Sequence, residues 1–242
     1  MYTFTDVNFN YKNLQVFQNF SLDIPEDKIS FILGHNGAGK TTLLKLLIGS
    51  LIPKSGQIIN NVLSKDTFFL VGSNNLYSDL SIRENLKFHC LLKGFKITKS
   101  EIQNNISVLS QKLQIQRYMD MKVNELSSGL KKRTALLCGL IFNPSAIFLD
   151  EPTNDIDPET KIILTSLIKE LKSRGKSIVV VTHDLDFCYE VSEHNIIINN
   201  GKVVKIEKLS LSKKAIGDFK LEYLEYTKEN GQNESNNLQR LN

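Results

Sequence analysis

The run Ser30-Phe31-Ile32-Leu33-Gly34-His35-Asn36-Gly37-Ala38-Gly39-Lys40-Thr41-Thr42 constrains this chain more than any other. It matches the phosphate-binding pattern GxxxxGK[ST]. It also lies where that pattern must lie, after a short apolar strand, Ile29 to Leu33, and before a helical run, Thr41 to Ile48. Gly34, Gly37 and Gly39 have no Cβ, so the backbone can enter left-handed conformations and turn its N–H groups inward as a nest for phosphate oxygens. His35, Asn36 and Ala38 complete that loop. The helix that follows adds the positive end of its dipole at the same point. In such a loop Lys40 bridges the β- and γ-phosphates, the Thr41 hydroxyl ligates Mg²⁺, and Thr42 reaches the α-phosphate. Taken alone, the stretch is also compatible with a Gly-rich turn that binds nothing.

A second stretch argues against that alternative. In Ala146-Ile147-Phe148-Leu149-Asp150-Glu151 a buried apolar strand delivers a carboxylate at its C-terminal end, where ligands bind in open α/β sheets. Asp150 is placed to hold Mg²⁺ through water, and Glu151 to orient or deprotonate an attacking water.

Around these two stretches the periodicity predicts an α/β chain. Tyr2 to Tyr11 and Phe20-Leu22-Ile24 alternate apolar and polar residues, so the chain opens with antiparallel strands. Further strands are expected at Gln57-Ile58-Ile59, Thr67 to Val71 and Ser177 to Val181, and a hairpin at Asn200-Gly201. Between them Ser81-Ile82-Arg83-Glu84 and Thr98-Lys99-Ser100-Glu101 read as capping boxes, and Ile102, Ile106, Leu109 and Leu113 share one helical face. About residues 76 to 128 therefore read as a helical lobe inserted into a sheet domain. A helix from about Ser128 to Phe142 follows, and Asp157-Pro158 supplies the N-cap and first residue of another that closes at Arg174-Gly175. Past Lys208 the chain is charged and reads as a solvated extension, 208–242, ending in a disordered tail.

Composition removes other classes. Thirty basic residues against 26 acidic give a formal charge of +4, spread along the chain, which gives little support to nucleic-acid binding. Lys131-Lys132-Arg133 reads by default as a solvated face. Cys90, Cys138 and Cys188 lie far apart in apolar surroundings without CxxC spacing, which predicts buried reduced thiols and a cytosolic compartment. Neither a signal peptide nor an apolar run of spanning length is expected, so a membrane role would require a partner chain.

Further motifs identify the pattern. Leu126-Ser127-Ser128-Gly129-Leu130 resembles the LSGGQ signature of ATP-binding-cassette (ABC) transporter nucleotide-binding subunits. Ile156-Asp157, within Thr153-Asn154-Asp155-Ile156-Asp157, resembles their D-loop, and Thr182-His183-Asp184 their switch-histidine segment. Tyr11 occupies the place of the adenine-stacking aromatic, although packing within its own strand would account for it equally well. The resemblance covers about residues 1 to 206.

The resemblance implies a P-loop NTPase (RecA-like) core with an antiparallel β subdomain and an inserted α-helical lobe, within an ATPase domain spanning 1–207. It implies ATP and Mg²⁺ as cofactors, with Glu151 and His183 catalytic and Thr41 and Asp150 at the metal. Ser127, Ser128, Gly129 and Asp157 join the nucleotide contacts, in a homodimer or heterodimer of cassettes closing head to tail on a separate transmembrane permease at the cytoplasmic face. The small residues at Ser127-Ser128-Gly129 suit that role, since they expose helix N-terminal N–H groups to an anion, although Ser127 is also an ordinary N-cap. One departure stands out: the family carries a Gln after the Thr67–Val71 strand, and here the stretch is Gly72-Ser73-Asn74-Asn75. The junction Leu70-Val71-Gly72-Ser73, the Leu76-Tyr77-Ser78-Asp79-Leu80 that follows and the lysine-rich signature helix look more like the exporter branch. A non-transport ATPase of the same superfamily and a weakly hydrolysing ATP-binding module are the alternatives.

Overall fold

The computed structural model describes residues 1–60, 66–71, 76–93, 98–208 and 215–228. In chain order the strands are β1 (Tyr2–Tyr11), β2 (Leu14–Ile24), β3 (Ile29–Leu33), β4 (Ser55–Asn60), β5 (Thr67–Val71), β6 (Ala146–Asp150), β7 (Ser177–Thr182), β8 (His194–Asn199) and β9 (Lys202–Lys208). The helices are α1 (Lys40–Leu47), α2 (Ile82–Lys93), α3 (Lys99–Lys112), α4 (Ser128–Leu140), α5 (Pro158–Ser173), α6 (Leu185–Val191) and α7 (Ile216–Lys228). They divide between two units, Met1–Ser64 with Ser177–Asn242, and Lys65–Lys176. The fold is an α/β cassette with an antiparallel β subdomain and helical insertions.

In the first unit β1 pairs antiparallel with β2 on one side and β4 on the other. Simple alternation along β1 would turn Val7 and Phe9 away from Phe4. Asp6 at φ 49° instead marks a bulge between Phe4 and Val7, so all three stay buried. β3 runs parallel between β7 and β8, and its five residues are all buried, as expected of a strand covered on both faces. β8 turns back into β9 through Asn200 (φ 47°) and Gly201 (φ 70°), both left-handed as a two-residue hairpin requires.

The second unit holds the parallel pair β5–β6 with α2, α3, α4 and α5. Both capping boxes form. Ser81 exchanges hydrogen bonds with Glu84, and Thr98 with Glu101, so each helix start has its first N–H donors satisfied. Asp157 caps α5 by accepting from Thr160 N at 2.8 Å, with Pro158 in the first turn. α4 is buried on nearly all sides because β5, α2, α3 and α5 all pack against it.

Two expectations are corrected. The region after Lys208 is not a solvated extension throughout, because 216–228 form α7, which buries Phe219 and Tyr223 against α6 and β8. Lys132 and Arg133 do not lie on a solvated face. Both are 5% exposed, because burying α4 forces these cations to turn toward carbonyl and carboxylate partners. The Gly72-Ser73-Asn74-Asn75 stretch and the terminal tail lie outside the described residues. Among the described residues no helix is long and apolar enough to cross a membrane, and the three cysteines are free, with Cys138 and Cys188 buried and Cys90 partly exposed.

Candidate functional site

The phosphate loop belongs to the first unit. Gly37 (φ 85°) and Gly39 (φ 103°) adopt the left-handed backbone that a side chain would resist. Gly39 begins α1 without a side-chain cap, so the first-turn N–H groups face outward from the helix start. Lys40 is only 6% exposed, and its ammonium donates to the carbonyls of Gly34 (2.8 Å) and His35 (3.0 Å), which holds the charge at the centre of the loop. A Cβ on Gly34 would lie 2.4 Å from the Ile198 carbonyl oxygen, so only glycine permits this approach to β8. Thr41 and Thr42 follow on the first turn of α1.

Tyr11 reaches the same helix. Thr42 Oγ1 donates to the Tyr11 hydroxyl at 3.5 Å, the Tyr11 ring packs edge-on against Phe9 at 5.0 Å, and 41% of the residue remains exposed. His183 follows β7. Because Leu33 pairs with Thr182 in the parallel register of β3 and β7, the phosphate loop and His183 leave the same carboxyl edge on adjacent strands. His183 is exposed, and Asp184 beside it caps α6 by accepting from Phe187 N at 2.9 Å.

The acidic segment after β6 belongs to the second unit. Asp150, 6% exposed, ends β6, and Glu151 follows in a left-handed conformation, φ 47°. For a residue with a Cβ that costs about 1–3 kcal/mol, the kind of strain that collects at functional sites. Lys132 Nζ donates to the Glu151 carbonyl at 3.5 Å. Burial holds the Lys132 ammonium below the usual lysine range, against the opposing pull of Asp155, Asp150 and Glu151. Among the described residues no group of three or more His, Cys, Asp and Glu could cage a metal. Mg²⁺, which keeps several waters and shares phosphate oxygens, needs no such cage.

Ser127, Ser128 and Gly129 form the start of α4. Ser127 is its N-cap, accepting from Leu130 N at 3.3 Å. Gly129 faces Asp157 so closely that a Cβ there would lie 2.2 Å from Asp157 Oδ2 and 2.6 Å from Thr160 Oγ1. Thr160 Oγ1 donates to Asp157 Oδ2 (2.8 Å) and accepts from Arg133 Nε (2.9 Å), and Arg133 also pairs with Glu159 at 3.2 Å. The Thr160 N–H first, then its hydroxyl and the Arg133 charge, hold the Asp157 carboxyl below the usual carboxylate range. Beside this cluster is a polar pocket of about 520 Å³ reaching Ser127, Leu130, Arg133 and Asp157. Sequence reasoning missed Arg133 and Thr160 as organisers of the signature segment. A cation one turn into a helix, opposite an Asp-Pro-Glu-Thr start, was the available signal.

The family described as ABC transporter matches residues 17–154. An uncharacterised ABC transporter ATP-binding protein of Methanocaldococcus jannaschii is 34% identical over 81% of this chain and 72% of its own. The ergothioneine transport ATP-binding protein EgtV of Helicobacter pylori is 35% identical over 75% of this chain and 89% of its own. Among solved structures, an ATP-binding cassette in a dimeric post-hydrolysis state bound to ADP and Pi superposes with a TM-score of 0.78 at 26% identity, covering 88% of this chain and all of that one.

Proposed function

The chain belongs to the ABC transporter family as an ATP-binding ATPase subunit, and from that premise we propose that two copies, or one copy and a related cassette, close on ATP to drive a separate membrane permease. The observation that carries the proposal is the phosphate loop itself, with Lys40 buried at its centre, left-handed Gly37 and Gly39, and the uncapped start of α1. His35, Asn36 and Ala38 complete the phosphate cradle, Thr41 and Asp150 serve Mg²⁺, and Tyr11 stacks on the base. Mg²⁺ would neutralise phosphate charge during transfer.

Glu151 orients the attacking water, and His183 reads the γ-phosphate from the strand edge it shares with the loop. Ser127, Ser128 and Gly129 offer the start of α4 to the phosphate bound by the partner cassette, and Asp157 fixes the geometry of that segment. The dimeric relative supports the pairing. A permease partner is supported by an apolar groove of about 460 Å³ on the helical lobe, lined by Leu86, Leu91, Ile102, Ile106 and Met119, with Leu91 74% exposed. The export direction suggested by the 70–73 junction, the 76–80 stretch and the lysine-rich signature helix draws no support from these relatives, whose names speak of transport alone, so export forms no part of the proposal.

The test is nucleotide affinity and turnover side by side. Lys40→Ala should lose ATP binding, and Glu151→Gln should keep binding and lose turnover. A Lys40→Ala protein that binds normally, or a Glu151→Gln protein that turns over normally, would refute the assignment.

A further inference from the structure

The turn between β8 and β9 grips the phosphate loop at two points. Gly201 N–H donates to the Ala38 carbonyl at 3.1 Å, and His35 Nε2 lies 2.9 Å from Asn199 Oδ1, with the ring's Nδ1 2.7 Å from the Asn36 carbonyl oxygen. Asn199 is 1% exposed, and the other side of its amide faces α7. Its Nδ2 donates to the carbonyls of Tyr226 (3.1 Å) and Thr227 (3.5 Å). Those carbonyls belong to the last described turn of α7. Because a carbonyl only accepts, the amide orientation is fixed, with nitrogen toward α7 and oxygen toward His35. One buried side chain thus meets two backbone carbonyls of α7 and the second residue of the phosphate loop.

α7 is also held by buried Phe219 and Tyr223, by Lys220 with Asp186 at 2.7 Å, and by Lys205, which pairs with Glu222 and lies 4.9 Å from the centre of the Tyr226 ring.

We infer that Asn199 is a positioning residue of the phosphate loop and that docking of α7 and binding of nucleotide are coupled through it. The inference rests on the phosphate-loop reading above. Breaking either side of the amide leaves a buried polar group unsatisfied, so the loop and the helix end favour one another's ordered state. Such coupling is reciprocal: if α7 steadies the loop for ATP, bound ATP must steady α7.

The test is amide hydrogen exchange on the full chain carrying Glu151→Gln, with and without ATP. Saturating ATP should slow exchange across 216–228 by about fivefold or more, the low end of ordinary coupling between sites. Adding Asn199→Leu, similar in volume but without polar atoms, should weaken ATP affinity by about tenfold and abolish the slowing when ATP is again made saturating. Exchange in α7 that ignores bound ATP in the Glu151→Gln protein overturns the inference without recourse to the second variant. An Asn199→Leu chain that keeps both affinity and slowing overturns it as well. Lys40→Ala separates the two readings. If Lys40→Ala binds ATP normally the phosphate-loop reading fails, whereas loss of ATP by Lys40→Ala together with an indifferent α7 in the parent fails the coupling alone.

Discussion

Replacing Asp157 with alanine removes three interactions that the structure resolves separately. The carboxylate caps α5 through Thr160 N at 2.8 Å, accepts from Thr160 Oγ1 at 2.8 Å, and lies 3.6 Å from the Arg133 guanidinium. Loss of an Asp N-cap costs about 1 kcal/mol, within a range of about 0.5–2. The ion pair adds little, about 0–1 kcal/mol, because the Asp157 side chain is 46% exposed and Arg133 retains Glu159. The sum, about 1.5 kcal/mol, corresponds to a fall in Tm of about 3–6 °C for a chain of this size. Asp157→Asn keeps an acceptor for Thr160 N and should lose less than half as much.

Acid provides the sharper check. The folded carboxyl titrates below its ordinary value of 3.8, so its contribution is complete above about pH 4–5 and disappears as pH falls through the folded value. In thermal melts without nucleotide the gap between wild type and Asp157→Asn should therefore be present at pH 7 and narrow as pH falls below the ordinary carboxylate range, while Asp157→Ala, which has no acceptor in either state, stays below both. Equal melting of wild type and Asp157→Ala at pH 7, or a gap to Asp157→Asn that ignores acid, would refute the assignment of this carboxylate as a charged helix cap.

Gly139→Ala sets two effects against each other. Helix propensity favours alanine by about 1 kcal/mol, yet the new Cβ would lie 2.0 Å from the ring of buried Phe68, so overpacking wins and denaturant titration should show a net loss of about 1–3 kcal/mol. Phe219→Ala empties a fully buried position under α7 and should cost about 3–5 kcal/mol, and a melt within a degree of wild type would show that α7 contributes nothing to the fold. In native protein at pH 7.5 a thiol reagent should modify Cys90 alone. Burial pushes the Cys138 thiol up to about 12 and raises that of Cys188 as well, so those two should react only after denaturation.

Much of this arrangement was legible because local chemistry and tertiary role agree. The phosphate loop, both capping boxes, the Asp157-Pro158 helix start and the Asn200-Gly201 turn each carry a backbone requirement that few residues satisfy, and each occurs where it was expected. α7 was hidden because charges alternate with its apolar residues and Ile216, Leu221 and Leu224 stay exposed, while Phe219 and Tyr223, four residues apart, are buried. Lys132 and Arg133 were misplaced because a charge run says nothing of which cations find partners. Their burial follows from α4 being covered by its neighbours, a tertiary fact. The bulge at Asp6 and the approach of Asn199 to both His35 and α7 are likewise long-range results with no local signature.

The most direct measurement of the central claim is light scattering of purified Glu151→Gln protein with and without ATP, beside the double variant that also carries Lys40→Ala. A monomer that becomes a dimer only with ATP, and only while Lys40 is present, is the predicted result. A protein that binds ATP through Lys40 yet keeps the same mass would contradict closure of two copies on the nucleotide.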